Sequence, residues 1–294
     1  MKKGWVFVVF CYAFYVLFSH LLYHYTGFFS PEELSATKKG MGGEVPSQEV
    51  EAILSEPFSF LSHGHQTFAF QSQDGRFVLK LFKKRFLRRE CFYKALPLGP
   101  FAFYKRRGHL KRQERLFQGY LEASQKDPLG SGLVYVHLES VPCSCVTLKD
   151  ALGKTYTFPL KHVAFALQKR ATPFRCVLRE SLKERDCKKL KTQIEALYTF
   201  LVQGYQKGLL DQDHNVLDNL GIVDGQFIRM DLGKVARCSF SDKNALKEDL
   251  EKVFYKRVFP WIKRHDEALF QALYTSDIVL DHGGVLCNTS LQTE

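Results

Sequence analysis

The sequence predicts a two-lobed α+β protein, with a small antiparallel sheet lobe, a helical lobe and an apolar helix at its N-terminus. Three observations carry that expectation. Short alternating runs separated by tight-turn residues fill the stretch from Phe58 to Leu167, as hairpin strands do. Helical spacing of apolar residues dominates from Leu190 onward, as expected for helices with one buried face. Trp5–Phe18 carries no charge, and its apolar character runs on to Tyr25.

The N-terminal stretch 1–25 is long enough for a bilayer-spanning helix. No small-x-small cleavage site follows it, which favours an uncleaved single-pass anchor over a removed signal. Trp5 and the pair Tyr23 and Tyr25 fall where interfacial aromatics belong. Lys2 and Lys3 favour a cytoplasmic N-terminus, which sends the rest of the chain to the opposite side. Residues 26–56 read as a linker: Ser30-Pro31-Glu32-Glu33 is a helix-start signal, and Lys38–Gly43 has no apolar period.

Residues 57–170 form the expected sheet lobe. Phe58–Leu61 and Thr67–Gln71 are strands joined by Ser62-His63-Gly64-His65, and Asp74-Gly75 turns the chain into a third strand, Arg76–Phe82. On that strand Val78, Lys80 and Phe82 share a face. A lysine on an otherwise apolar face calls for an anionic partner. A helix over Leu110–Ser124 follows, then strands at Leu133–Leu138, Cys145–Leu148, Thr155–Leu160 and Val163–Leu167. Residues 171–294 form a reduced helical lobe. In it, Leu190–Lys207 is a long helix closed by Gly208, and helices near 242–258 and 261–275 are separated by Pro260.

The net charge of +11 points to anionic partners. The basic runs 83–89 and 105–115 lack a nucleic-acid-binding motif, so nucleic acid is not expected; anionic lipid fits better beside a membrane helix. The eight cysteines form no CxxC pair, which removes the usual zinc frameworks.

The segment Gly208-Leu209-Leu210-Asp211-Gln212-Asp213, followed by Met230-Asp231-Leu232-Gly233, resembles the catalytic and metal-binding loops of the protein-kinase-like superfamily. Asp213 and Asp231 lie 18 residues apart, similar to the family's spacing. Val78-Leu79-Lys80 resembles its nucleotide-binding lysine motif. The resemblance implies ATP and magnesium as cofactors. It implies Asp213 as the group facing an acceptor hydroxyl, Asn219 and Asp231 as metal ligands, Lys80 on the α- and β-phosphates, and Val78 over the adenine. Gly64 would approach phosphate through its backbone, and Glu114, preferred to Glu122, would pair with Lys80. The acceptor, whether protein, lipid or sugar, is left open.

Departures are equally specific. Asp211 and Gln212 stand where the family has His and Arg. Asp218, not Asn, sits five residues after Asp213, and Asn219 comes at six. Only Gly64 remains of a glycine-rich loop. These leave open a pseudokinase that binds a nucleotide or a partner without catalysis. The chain also resembles membrane-tethered kinase-like proteins of chlamydial-type bacteria and, more loosely, lipopolysaccharide-core sugar kinases.

Overall fold

The computed structural model describes the backbone of residues 2–84, 99–238 and 243–275, and the side chains of these except 2–7, 24, 99–110, 243–245 and 274–275. Most of the basic run 83–89, the pair Cys91 and Cys287, and the tail after Thr275 lie outside the described residues. The chain is a mixed α+β protein that divides into two units. One comprises Met1–Gln113 and Val134–Arg170, the other Glu114–Leu133 and Ala171–Glu294.

The first unit opens with helix α1 (Lys2–Thr26). The expected membrane span is not supported: among the described residues, no helix is long and apolar enough to cross a membrane. Tyr12, Tyr15, Ser19, His20 and Tyr23 dilute the apolar character of α1.

The segment expected as a linker is folded instead. Its helix-start signal yields only a single 3-10 turn, Pro31–Glu33. Leu34 and Ala36 then bridge to Lys83 and Val163. Gly40 and Gly42 donate their amides to the Glu139 carboxylate. Helix α2 (Gln48–Ser55) starts at a Ser47 cap that accepts the Val50 amide. The physical reason is apolar burial: Phe29, Leu34, Val50 and Leu54 all sit in the core. Each such residue contributes about 1.5–3 kcal/mol when fully buried.

That core lies on one face of a seven-stranded sheet. Its strands are β1 (Phe58–His63), β2 (Thr67–Ser72), β3 (Phe77–Phe82), β4 (Leu133–His137), β5 (Cys145–Lys149), β6 (Thr155–Pro159) and β7 (Phe165–Lys169). The spatial order is β4-β7-β3-β2-β1-β5-β6. The sheet is not wholly antiparallel, because β1 pairs with β5 in parallel through Phe58 and Ser59. Phe68, Phe70, Leu79, Leu81, Phe165 and Leu167 line the core face. The other face carries Val78 and Lys80.

The second unit begins within helix α3 (Gly99–Lys126) and continues through α4 (Pro128–Ser131). After β8 (Thr172–Pro173) come α5 (Phe174–Glu184), α6 (Cys187–Gln206), β9 (Leu209–Asp211), α7 (Val216–Asn219), β10 (Leu220–Val223), β11 (Gln226–Arg229) and β12 (Val235–Arg237). The unit ends with α8 (Lys243–Val253), a π-helical turn at Phe254–Val258, α9 (Phe259–His265) and α10 (Glu267–Thr275). Pro260 does not separate two helices as expected. It sits in the first turn of α9, directly after the π-helical turn Phe254–Val258 that runs into that helix. The core packs Leu178, Ile194, Leu197, Leu217, Phe254 and Ile262 together.

Candidate active site

The site in the second unit is built by two loops that end on one another. Helix α6 closes at Gly208, whose φ of +72° suits glycine and whose amide returns to the Tyr205 carbonyl at 2.9 Å. The chain then enters β9, which pairs with β12: Asp211 lies opposite Val235 and Leu209 opposite Arg237. The β10–β11 hairpin turns at Asp224-Gly225, both with positive φ, the geometry of a two-residue hairpin turn. It returns Met230 and Asp231 to the end of α7, where their amides donate to the Asn219 carbonyl at 2.6 and 3.3 Å. The Gln212 amide donates to the Lys234 carbonyl at 3.2 Å.

Asp213 sits at the centre of this junction. Its Oδ2 accepts from Asn219 Nδ2 at 3.2 Å, and its Oδ1 lies 2.9 Å from Lys234 Nζ. Its own amide donates to Asp211 Oδ1 at 2.9 Å. Burial pushes the Asp213 carboxyl up, but the hydrogen bonds from Lys234 and Asn219, with the charges of Lys234 and Arg257, outweigh it and hold the group below its ordinary value. Asp213 is therefore an ionised acceptor. Asp231 is exposed, and its Oδ1 accepts the Gly233 amide at 2.9 Å, which sets the Asp-Leu-Gly turn. Helix α3 backs this turn: burial and the Asp231 carboxylate together raise the Tyr120 phenol well above its usual range.

The neighbouring pair Asp218 and Asn219 diverge. Asn219 is buried against Asp213, whereas Asp218 Oδ2 accepts from Arg175 Nη2 at 2.6 Å and from Asn215 Nδ2 at 3.2 Å. One helical turn thus aims the amide into the junction and the carboxylate away from it. Asp211 is half-buried, and its Oδ2 is enclosed with no partner. Burial lifts its carboxyl to about 6, against the lowering effect of the Asp213 amide and Arg229.

The other expected site residues stand in different surroundings. Lys80 lies in the first unit, opposite Ala69 on one side and Ala166 on the other. Directly opposed residues share a face, so two small side chains flank the lysine stem. Val78 lies opposite Gln71 and Gln168. Gly64 departs from its expected role. Its amide donates to the Thr67 carbonyl at 2.9 Å and its carbonyl accepts from Lys83 Nζ at 2.7 Å, so the β1–β2 turn consumes the N–H that a phosphate would need. Glu114 belongs to the second unit and is exposed. Glu122, the other helix glutamate, is buried and committed to Arg237 and Lys126.

Two participants were not legible in the sequence. Lys234 follows the Asp-Leu-Gly turn, but nothing local announces that it reaches back 21 residues to Asp213. His214 Nε2 lies 2.5 Å from Asp249 Oδ1. Its φ of +54° is a conformation His adopts more readily than most side chains, and it turns the ring from the Asp213 loop toward α8.

Among the described residues, no group of three or more His, Cys, Asp or Glu is placed to hold a metal ion. The oxygen donors that the two loops carry are the Asp231 carboxylate, whose Oδ1 accepts the Gly233 amide, and the Asn219 side-chain oxygen. The Asn219 Nδ2 is already spent on Asp213, leaving that oxygen as the acceptor. An all-oxygen set of this kind fits a hard cation such as magnesium.

No family model matches the chain, and no curated protein does either. Among solved structures, the chain is similar at 13% identity to WbdD, covering 72% of this chain and 43% of that one with a TM-score of 0.35. The bifunctional kinase-methyltransferase WbdD in another structure gives 13% identity, 71% and 42% coverage, and 0.33. Rv3197 of Mycobacterium tuberculosis, in complex with erythromycin, gives 13% identity, 77% and 57% coverage, and 0.37. The chain spans about half the length of these structures. The chemistry of the site is therefore read from this chain's own residues.

Proposed function

We propose that this protein is an atypical kinase that moves the γ-phosphoryl group of ATP to a hydroxyl acceptor. The observation that carries the reading is the ionised Asp213, oriented by Asn219 and Lys234, beside the Asp231 turn. Phosphoryl transfer is mostly positioning and charge stabilisation, so it needs this kind of fixed acceptor next to oxygen ligands. In the step, the acceptor oxygen forms a bond to the γ-phosphorus as the bond to the β–γ bridging oxygen breaks. The hydroxyl proton passes to the Asp213 carboxylate, and ADP leaves with the electron pair of the broken bond. Magnesium, when bound, supplies neutralisation of phosphate charge, and Asn219 and Asp231 would hold it. The reading assigns Lys80 to the α- and β-phosphates and Val78 to the adenine.

The exposed apolar side chains of α1, among them Val8, Phe10, Phe14 and Phe18 at 54% or more, support a place at a membrane, where such a surface leaves water. Anionic lipid is the proposed headgroup partner for a chain of this net charge. The acceptor class follows from neither point.

Purified full-length protein in detergent is expected to show a magnesium-dependent thermal shift with ATP. Asp231→Ala should abolish the shift, and Asp213→Asn should remove turnover while keeping it. A wild-type protein with no shift, or a shift unchanged in Asp231→Ala, would sink the reading. A second reading, a pseudokinase acting as a binding module, is favoured by one observation: the Gly64 amide is occupied by Thr67, so the β1–β2 turn offers a phosphate little. ATP turnover that depends on Asp213 excludes it.

A further inference from the structure

We propose that Lys234 is the cation that grips the terminal phosphoryl group of the nucleotide; the inference rests on the kinase reading above. The loop that carries Asp213 is rich in negative charge and lacks its own cation. From Asp211 to Asn219 it holds three Asp and no Lys or Arg, and Asp231 adds a fourth carboxylate across the junction. A phosphoryl group in transfer spreads negative charge over three oxygens and requires positive charge beside it. Of the cations around the junction, Arg229 is buried and bound to Asp127 at 2.7 Å, Arg175 is bound to Asp218, and Arg257 acts on Asp213 through its charge without a hydrogen bond to it. Lys234 reaches the centre, 2.9 Å from Asp213 Oδ1, and its side chain is 56% exposed.

Its backbone and side chain are held to different degrees. The Lys234 carbonyl accepts the Gln212 amide, and the next residue, Val235, pairs with Asp211 in the β9–β12 ladder. The Cα is therefore fixed while the four-carbon stem carries a mobile ammonium. A surface lysine–carboxylate pair adds little to folding, so stability does not explain why a lysine stands here. A ligand does. When a phosphoryl oxygen takes the ammonium, Asp213 Oδ1 is released toward the acceptor hydroxyl, so one side chain holds the group being moved and exposes the base.

The test compares binding of ADP and of the non-hydrolysable imido analogue of ATP, each with magnesium, to full-length wild type, Lys234→Met and Lys234→Arg by calorimetry. Lys234→Met is expected to bind the analogue about tenfold more weakly, the effect of one charge-assisted contact, with ADP affinity unchanged. Lys234→Arg should keep much of the preference for the triphosphate. A Lys234→Met protein that binds both ligands as wild type does, or loses both equally, overturns the proposal. Wild type that binds neither ligand overturns the kinase reading itself, and this inference with it. Thermal melting of each variant checks that the fold is intact.

Discussion

Replacing Asp127 with Asn tests the electrostatic frame beneath the site. Asp127 Oδ2 lies 2.7 Å from Arg229 Nη1, and both side chains are only 3% exposed. Its Oδ1 takes Lys207 at 2.7 Å and the Gly130 amide at 3.1 Å. Asn preserves the cap on the Gly130 amide but leaves the Arg229 guanidinium buried beside a neutral group. Breaking one side of a buried pair costs about 3–5 kcal/mol, because the remaining charge loses the carboxylate that balances it. At about 2–4 °C per kcal/mol for a chain of this size, the melting temperature should fall by roughly 6–20 °C. The double variant Asp127→Asn with Arg229→Met should recover much of that loss, since an apolar replacement removes the buried charge as well. Acid titration gives an independent sign. Burial pushes the Asp127 carboxyl up, but the Lys207 hydrogen bond and the Arg229 charge outweigh it and hold the carboxyl below its ordinary value. A carboxylate lowered on folding adds stability that is present above its unfolded value and lost as pH falls through its folded value. Wild type should therefore lose stability below about pH 4 that Asp127→Asn does not have to lose. Urea unfolding across pH reads both effects. A loss below about 1 kcal/mol in the single variant, or no recovery in the double, would refute the buried-pair account.

Three further outcomes follow from contacts at the site. A Cβ at Gly119 would stand 2.3 Å from the Leu232 carbonyl, so Gly119→Ala should displace the Asp231 turn and weaken magnesium-dependent ATP binding at least tenfold; titration calorimetry at wild-type affinity would contradict this. Nothing lies within 4 Å of a Cβ at Gly64 and its amide is already spent, so Gly64→Ala should bind ATP as wild type does, and a tenfold loss in the same assay would restore a phosphate role for that turn. Asn219→Ala should lower phosphoryl transfer by about a hundredfold or more, in the range of a lost preorganised polar contact, while Asp218→Ala stays within a few-fold; the reverse ranking in a turnover assay would assign the metal to Asp218.

Much of the local structure was legible from the chain. The Asp74-Gly75 hairpin and the Gly208 helix end each follow from the backbone freedom or turn preference of one or two residues. Placing Asp213 and Asp231 in neighbouring loops also follows, since a hairpin joins the ends of the segment between them. The folded state of residues 26–56 was not legible, because Phe29, Leu34, Val50 and Leu54 show no common period and become a core only against the β-sheet. The same holds for Thr172–Pro173, which becomes a strand only by pairing with β10.

By itself the sequence determined which segments turn, which alternate and which coil, and it placed the acidic residues of one loop pair within reach of each other. Tertiary structure alone decided that Lys234 closes on the Asp213 carboxylate, and that the Gly64 amide is spent inside its own turn. The physical reason is that local pattern follows from backbone preferences over a few residues. Direction, partner and charge state depend on groups far along the chain, brought close only when the strands pair.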